Sequence, residues 1–381
     1  MALSVEILAQ RVRESIAAAN LTQQELAEAV GISPSGLSRA LAGKRNFKSL
    51  EIALIADHLG IPVEDLLEPE ATGASEAKIA ARAQEGASPA IRGAVERADL
   101  LLRHDRLLTD VGMPAEQSFM DVAIPEGAPH EQGEGLARAL RERMGLGVAD
   151  LPSELNELAA FLEENLAVNV AFEAFPVGLD GLCVSRDAFR LVLVSSQGAA
   201  TRQRYTLAHE LGHLVAGDSQ DIKVDENVWG VRSATETRAN AFAAGFLMPA
   251  EPLRQVIEDD GISDASIASL LGRYRVSLDA LAFRLHNIGA VNAEGRDKIR
   301  AMSSSAIYLR SGRASDLQAR NERRRPLPLV RRSIKAYVKG RIGVRPLADL
   351  LEVDAKELLK ELSPPSKVAP SVPSEEMVPV L

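Results

Sequence analysis

Residues 205–217 read Tyr-Thr-Leu-Ala-His-Glu-Leu-Gly-His-Leu-Val-Ala-Gly, and no other stretch restricts the fold as much. His209 and His213 are four residues apart, which on a helix puts both imidazoles on one face, one turn from each other. Two histidines so spaced can hold one Zn²⁺, with Zn–N near ~2.0–2.1 Å. Glu210 lies on the same side but too close in sequence to share the ion. Its expected role is to take a proton from a zinc-bound water. Leu207, Leu211 and Leu214 recur at i, i+4 and i+7 and predict an opposite, apolar face. The chain has only six histidines. A core helix holding two satisfied histidines would have no use for a glutamate between them.

Such a site needs a third protein ligand and one open position. Residues 235–249, Thr-Glu-Thr-Arg-Ala-Asn-Ala-Phe-Ala-Ala-Gly-Phe-Leu-Met-Pro, supply a candidate. Glu236 opens a predicted helix whose Ala239, Phe242, Ala243 and Phe246 form an apolar stripe, and Met248-Pro249 ends it. Asn240 follows one turn later, so it can face the site too. By spacing alone, Glu236 suits a helix-start carboxylate favoured by the macrodipole almost equally well. Asp218, Asp221, Asp225 and Glu226 in the intervening loop are rival ligands.

The pair RYTLAHELGH and ETRANAFAAGFLMP resembles the ImmA/IrrE family of zinc metallo-endopeptidases, over roughly residues 130–290. Gly245-Phe246 stands where the family usually has two aliphatic residues. The resemblance implies His209, His213 and Glu236 as metal ligands and Glu210 as catalytic base. It also implies regulatory cleavage of a repressor that has a Cro-like domain.

Residues 1–67 form a second, separate unit. Helices are expected at Val5–Ala19, Gln23–Val30, Pro34–Leu41, Ser49–Leu59 and Val63–Leu67. Thr22 with Glu25 makes a capping box, and Ser33-Pro34 makes a cap followed by an N1 proline. The run TQQELAEAVGISPSGLSRALAGKR has helix-turn-helix spacing, with Ala27, Gly31 and Leu37 at the tight contacts. It resembles the λ-repressor/Cro (XRE) family of DNA-binding domains along its length. That resemblance makes Pro34–Leu41 the recognition helix, entering the major groove of double-stranded DNA. Ser33, Ser35, Ser38 and Arg39 are its exposed polar candidates, Arg39 the one expected to read a base. Gln23 matches the family's phosphate-contacting glutamine. Lys44, Arg45 and Lys48 are expected to add phosphate contacts. The unit is not basic overall, with 6 Lys/Arg against 8 Asp/Glu. A helical domain that binds protein is the alternative.

The remaining chain predicts a mainly α protein with a small β-sheet. A linker and connecting helix are expected at 68–129, with a helix over Ala90–Val111 and a loop over Pro114–Gln132. The peptidase domain follows at 130–290, with helices at Gly133–Met144 and Pro152–Leu166. Its strands are expected at Val168–Phe175, Gly181–Val184 and Phe189–Val194. A second helix-turn-helix-like pattern lies at 262–289. A basic helical region is expected at 291–362, and a disordered tail at 363–381. Residues 296–345 hold 15 Lys/Arg against 3 Asp/Glu in a chain of net charge −9. Such asymmetry suits either DNA-backbone contact or an intramolecular dock.

Composition supports a soluble, cytoplasmic protein: 46% hydrophobic, 25% charged and one cysteine, Cys183. No apolar run reaches the ~20 residues of a membrane span. The N-terminus has no secretory-signal pattern. Cys183 is expected as a buried strand residue. Two functional readings emerge. One is a DNA-binding regulator, expected as a homodimer, with a zinc endopeptidase that cleaves itself or a related repressor. The other is a non-enzymatic transcription factor whose zinc site is structural or a sensor.

Overall fold

Thr22 accepts a hydrogen bond from the Glu25 amide, the Glu25 carboxylate accepts one from the Thr22 amide, and the second helix starts there. In the computed structural model, four helices build the N-terminal unit: α1 (Val5–Ala18), α2 (Gln23–Ala29), α3 (Pro34–Leu41) and α4 (Ser49–Leu59). The structure describes residues 5–19, 21–59, 66, 89–115, 119–120, 122–175, 179–218, 222–225, 233–310 and 322–362. Of the fifth helix expected at Val63–Leu67, only Leu66 is among them. The expected linker at 68–87 and tail at 363–381 lie outside them. Val12, Leu26, Ala27, Leu37, Ala40 and Ile55 are wholly buried in one core.

The chain divides into two compact units, Met1–Arg82 and Ala83–Leu381. The second is built on a four-stranded sheet: β1 (Asn169–Glu173), β2 (Gly181–Arg186), β3 (Phe189–Ser195) and β4 (Ile222–Asp225). The order is β1-β3-β2-β4. β1 runs parallel to β3, and β2 runs antiparallel to both β3 and β4. The sequence predicts the first three strands with ends shifted by one or two residues. It reads β4 as loop, because Ile222–Asp225 is too short and mixed to alternate.

Alternation along the strands feeds two cores. Val170, Phe172, Cys183, Val192 and Val194 join the core of the helices on one face. Ala171, Leu182, Val184, Leu191 and Leu193 join the core on the other face. The first layer holds α6 (Pro129–Arg143), α7 (Leu155–Leu166), α8 (Ala200–Val215) and α9 (Ala234–Leu247). With them are α10 (Ala250–Asp260), α11 (Asp264–Tyr274), α12 (Leu278–Asn287), α13 (Ala293–Arg300) and α14 (Ser304–Arg310). Helix α6 begins at Pro129, so the expected loop at 114–132 ends earlier. Its Gly133 lies on the backbone of α9, where a β-carbon would run into the Arg238 carbonyl and come 2.8 Å from the Phe242 nitrogen.

The other face is covered by α5 (Pro89–Asp110), α15 (Leu327–Val338) and α16 (Val344–Leu351), and α17 (Ala355–Leu362) packs on α16. The sequence reads α5 as a connecting helix, with a dimerisation or docking helix as the alternative, and α15–α17 as part of a basic helical C-terminal region. Ala98, Leu101, Leu329, Ala336 and Leu350 instead share one core with the sheet. Charge fixes this dock. Residue 324 pairs with Phe172 by two backbone hydrogen bonds of 3.0 Å, extending the β1 edge. The Arg324 guanidinium grips the buried Glu163 carboxylate at 2.9 and 2.6 Å. Burial raises the Glu163 pKa, and Arg324 opposes that rise. Arg325 pairs with Glu173 and Glu352, and Arg332 with Asp105. Arg323, Arg324, Arg325, Arg331 and Arg332 of the basic segment are thus paired with carboxylates of the same unit.

Three helical pairs among the described residues share one design. A left-handed residue ends the first helix: Gly31, Arg275 or Glu352. A β-branched residue follows, then a capping Ser33, Ser277 or Asp354. Buried leucines stand seven residues before and four after each cap: Leu26 and Leu37, Leu270 and Leu281, Leu347 and Leu358. The sequence reading finds the first two pairs. The third, α16–α17, carries the same signal.

His104 of α5 touches Ser333 of α15, Nε2 to Oγ, at 2.6 Å, and Ser333 donates to the Leu329 carbonyl at 2.7 Å. Burial, then Arg332 and Arg97, push the His104 pKa down to about 4. An unfolded histidine takes its proton near ~6.5, so between these values the unfolded chain binds more protons. Stability is therefore lost as pH falls from about 6.5 towards 4. Urea midpoints of the second unit should drop over that window by an equivalent of about 3 kcal/mol. In His104→Gln this part of the slope should flatten.

Candidate metal centre and helix-turn-helix surface

Helix α8 passes between the sheet and α9, and every residue from Gln203 to Val215 is buried. The expected apolar stripe of Leu207, Leu211 and Leu214 is present, but the opposite face is also covered. His209, Glu210 and His213 are wholly buried, which costs several kcal/mol for any charge left uncompensated. Ser233 caps α9 by accepting from the Glu236 amide at 3.1 Å, so Glu236 stands in the first turn. Its stripe of Ala239, Phe242, Ala243 and Phe246 packs inward.

This crossing brings three groups together. His209 Nε2 and His213 Nε2 are 3.1 Å apart. Glu236 Oε2 lies 3.2 Å from His209 Nε2, and Oε1 lies 3.4 Å from His213 Nε2. No other His, Cys, Asp or Glu trio among the described residues forms a group able to hold a metal ion. A tetrahedral zinc with ~2.05 Å bonds has ligand–ligand edges of about 3.3 Å, so this donor set fits one. The His213 Nδ1–H points to Asp218 Oδ2 at 3.0 Å, which leaves the Nε2 lone pair for the trio. Two ring nitrogens facing each other beside a carboxylate are the donor chemistry of a divalent cation.

Asp218 was a rival ligand, but it sits behind His213 instead. Burial pushes its pKa up; the His213 hydrogen bond and the Arg238 guanidinium outweigh that and hold it below the ordinary value. Arg238 also binds Gln132 Oε1 at 2.9 Å, so α6, α9 and the loop after α8 together fix the His213 ring. Asp221 and Glu226 lie outside the described residues, as does the side chain of Asp225. Asn240 is half-buried on α9, and Tyr205 donates to its carbonyl at 3.1 Å. It is not one of the trio. Cys183 is buried in β2, in the core beneath α8.

Sequence reading misses Gly181, the first residue of β2. A β-carbon there would lie 2.8 Å from Thr206 Cγ2 and 3.1 Å from both Cγ and Oε1 of Glu210. The missing side chain lets the strand lie directly on Glu210. A glycine opening a strand carries no signal of this until the strand is docked.

In the N-terminal unit, Gln23, Ser33, Ser35, Ser38, Arg39, Lys44 and Lys48 are exposed. Arg45, expected to contact phosphate, is half-buried. It holds Glu51 of α4 at 2.8 and 3.1 Å and the Gly36 carbonyl at 2.9 Å, bracing the turn after α3. Ser33 is occupied as the cap of α3.

The two units are of different classes: a helix-turn-helix unit, and an α+β unit with a buried His-His-Glu group. Comparison with known proteins bears this out. Residues 11–66 match the helix-turn-helix family, and residues 163–286 match the peptidase M78 family described as the IrrE N-terminal-like domain. The chain thus joins an XRE-type helix-turn-helix domain to an IrrE-like domain. The radiation response metalloprotease IrrE of Deinococcus radiodurans is 32% identical over 99 residues, covering 25% of this chain. That of Deinococcus deserti is 32% identical over 123 residues, covering 28%. These matches span 30% and 44% of the relatives' own lengths. A crystal structure of ComR from Streptococcus suis aligns with 95% of this chain and 96% of its own, at 13% identity. The TM-score is 0.17. No helix among the described residues is long and apolar enough to cross a membrane.

Asp218→Asn keeps the size of the side chain but weakens its hold on His213. Metal affinity, measured by competition with a chromogenic chelator, should fall about 10- to 100-fold. Circular dichroism should stay unchanged.

Proposed function

We propose that the second unit is a zinc-dependent endopeptidase and that the first delivers it to operator DNA. The trio of His209, His213 and Glu236 beside a buried acid, within an IrrE-like domain, carries this reading. His209 and His213 would hold the metal through Nε2, and Glu236 through its carboxylate. When bound, Zn²⁺ supplies Lewis acidity at the scissile carbonyl. Glu210 takes the proton of the attacking water and passes it to the leaving amine. Gly181 keeps space for that carboxylate, and Asp218 keeps His213 in the tautomer that ligates. Asn240, one turn beyond Glu236, serves in support of that ligand.

The substrate we propose is a repressor with a Cro-like domain, either this chain itself or a relative. The first unit binds double-stranded DNA as a homodimer, with Arg39 on a base edge. Gln23, Lys44 and Lys48 meet the phosphates, and Ser35 and Ser38 line the same face. The compartment proposed is the cytoplasm. A second reading has one observation in its favour. His209, Glu210 and His213 are entirely buried, as a structural or sensing metal site in a non-enzymatic regulator would be.

Purified zinc-loaded wild type and Glu210→Gln separate the two readings, each incubated alone and with a Cro-like repressor. Mass spectrometry should find a new fragment with wild type and none with Glu210→Gln, at equal metal content. Absence of fragments from both leaves the non-enzymatic regulator. For the first unit, Arg39→Ala should cost about 1–3 kcal/mol of specific affinity for the DNA upstream of the gene. Indifference to that change sinks the base-reading role.

A further inference from the structure

A cavity of about 540 Å³ lies on the second unit, within the ~300–1,000 Å³ range of small-ligand sites. None of its lining residues belongs to α8 or α9, which carry the metal group. One wall is the end of α7, with Glu163, Glu164 and Ala167; the other is α15, with Arg331, Arg332 and Lys335. Phe189 and Pro328 give it apolar surface, and the alanines that line it leave it open.

The two walls have opposite sign. The carbonyl end of α7 adds partial negative charge to that of its glutamates. Three of the lining charges, Glu163, Arg332 and Asp105, are already committed. Glu163 is held by Arg324 and by the amides of Val170 and Leu327. Arg332 is held by Asp105 and by the Met113 carbonyl at 3.0 and 2.8 Å. Glu164 and Arg331 are different. They approach only to 3.4 Å, and their side chains are 59% and 64% exposed. A pair this exposed contributes little to stability, so it exchanges partners at little cost.

We infer that this cavity binds a free α-amino acid. Its ammonium replaces Arg331 at Glu164, its carboxylate replaces Glu164 at Arg331, and its side chain lies on Phe189 and Pro328. One weak surface pair is thereby exchanged for two charge-assisted contacts. A ligand with a single charge satisfies one wall and strands the residue on the other. This assignment is independent of the proposed proteolysis, because the residues and elements involved are separate.

The test uses the full-length protein, thermal shift and calorimetry. Probes are glycine, alanine, leucine, glutamate and arginine, with dialanine, N-acetylalanine and alaninamide as controls. At least one free amino acid should raise the Tm saturably at millimolar concentration. Loss of either ligand charge, in N-acetylalanine or alaninamide, should weaken binding about 10-fold or more, which is about 1.4 kcal/mol. Glu164→Gln and Arg331→Gln, both at exposed positions, should each do the same. Three results would overturn the assignment: no free amino acid gives a shift; the shift persists unchanged in both variants; or dialanine binds tighter than every amino acid.

Discussion

Burying two imidazoles and a carboxylate within 3.4 Å of each other is the constraint on which the second unit depends. Each group would be costly alone in a dry interior, and together they become compatible around a cation. The surroundings hold the geometry rather than relax it. Asp218 restrains His213 from behind, Arg238 restrains Asp218, and Gln132 restrains Arg238. Helix α6 reaches this chain of contacts because Gly133 lets it rest on the α9 backbone. Packing and electrostatics therefore act on the same few residues.

The opposite face of the sheet is closed by segments distant in sequence. Helix α5 precedes the sheet, α15 follows it by more than a hundred residues, and both enter one core. The join is made by a backbone bridge at Phe172 and by the grip of Arg324 on Glu163. Removing one partner of a buried pair typically costs about 3–5 kcal/mol, so this contact sets register as well as attachment. Part of an excess of positive charge that suits nucleic acid on paper is thus paired inside the molecule.

Much of the candidate site is legible before any fold is known. His209, Glu210 and His213 are local, and a 3.6-residue period places them without tertiary information. The caps at Thr22 and Ser33 are local too, and the first two helical pairs follow from them. Glu236 is harder, since its distance from His209 depends on how two helices cross. Arg45 looks like a phosphate ligand in a basic run, but Glu51, six residues on, takes its guanidinium. The third helical pair carries the same spacing as the other two, and comparing the turns reveals it.

What the sequence determines by itself is short in range: helix periods, caps, the histidine spacing and the sign of each charge. These depend on neighbours within one or two turns. Tertiary structure alone decides that Asp218 stands behind the His213 ring, outside the His-His-Glu trio, that β4 joins β2, and that Arg324 finds Glu163. It also decides that Gly181 must be bare. Each of these results from contact between residues far apart in the chain, where no local period records the partner.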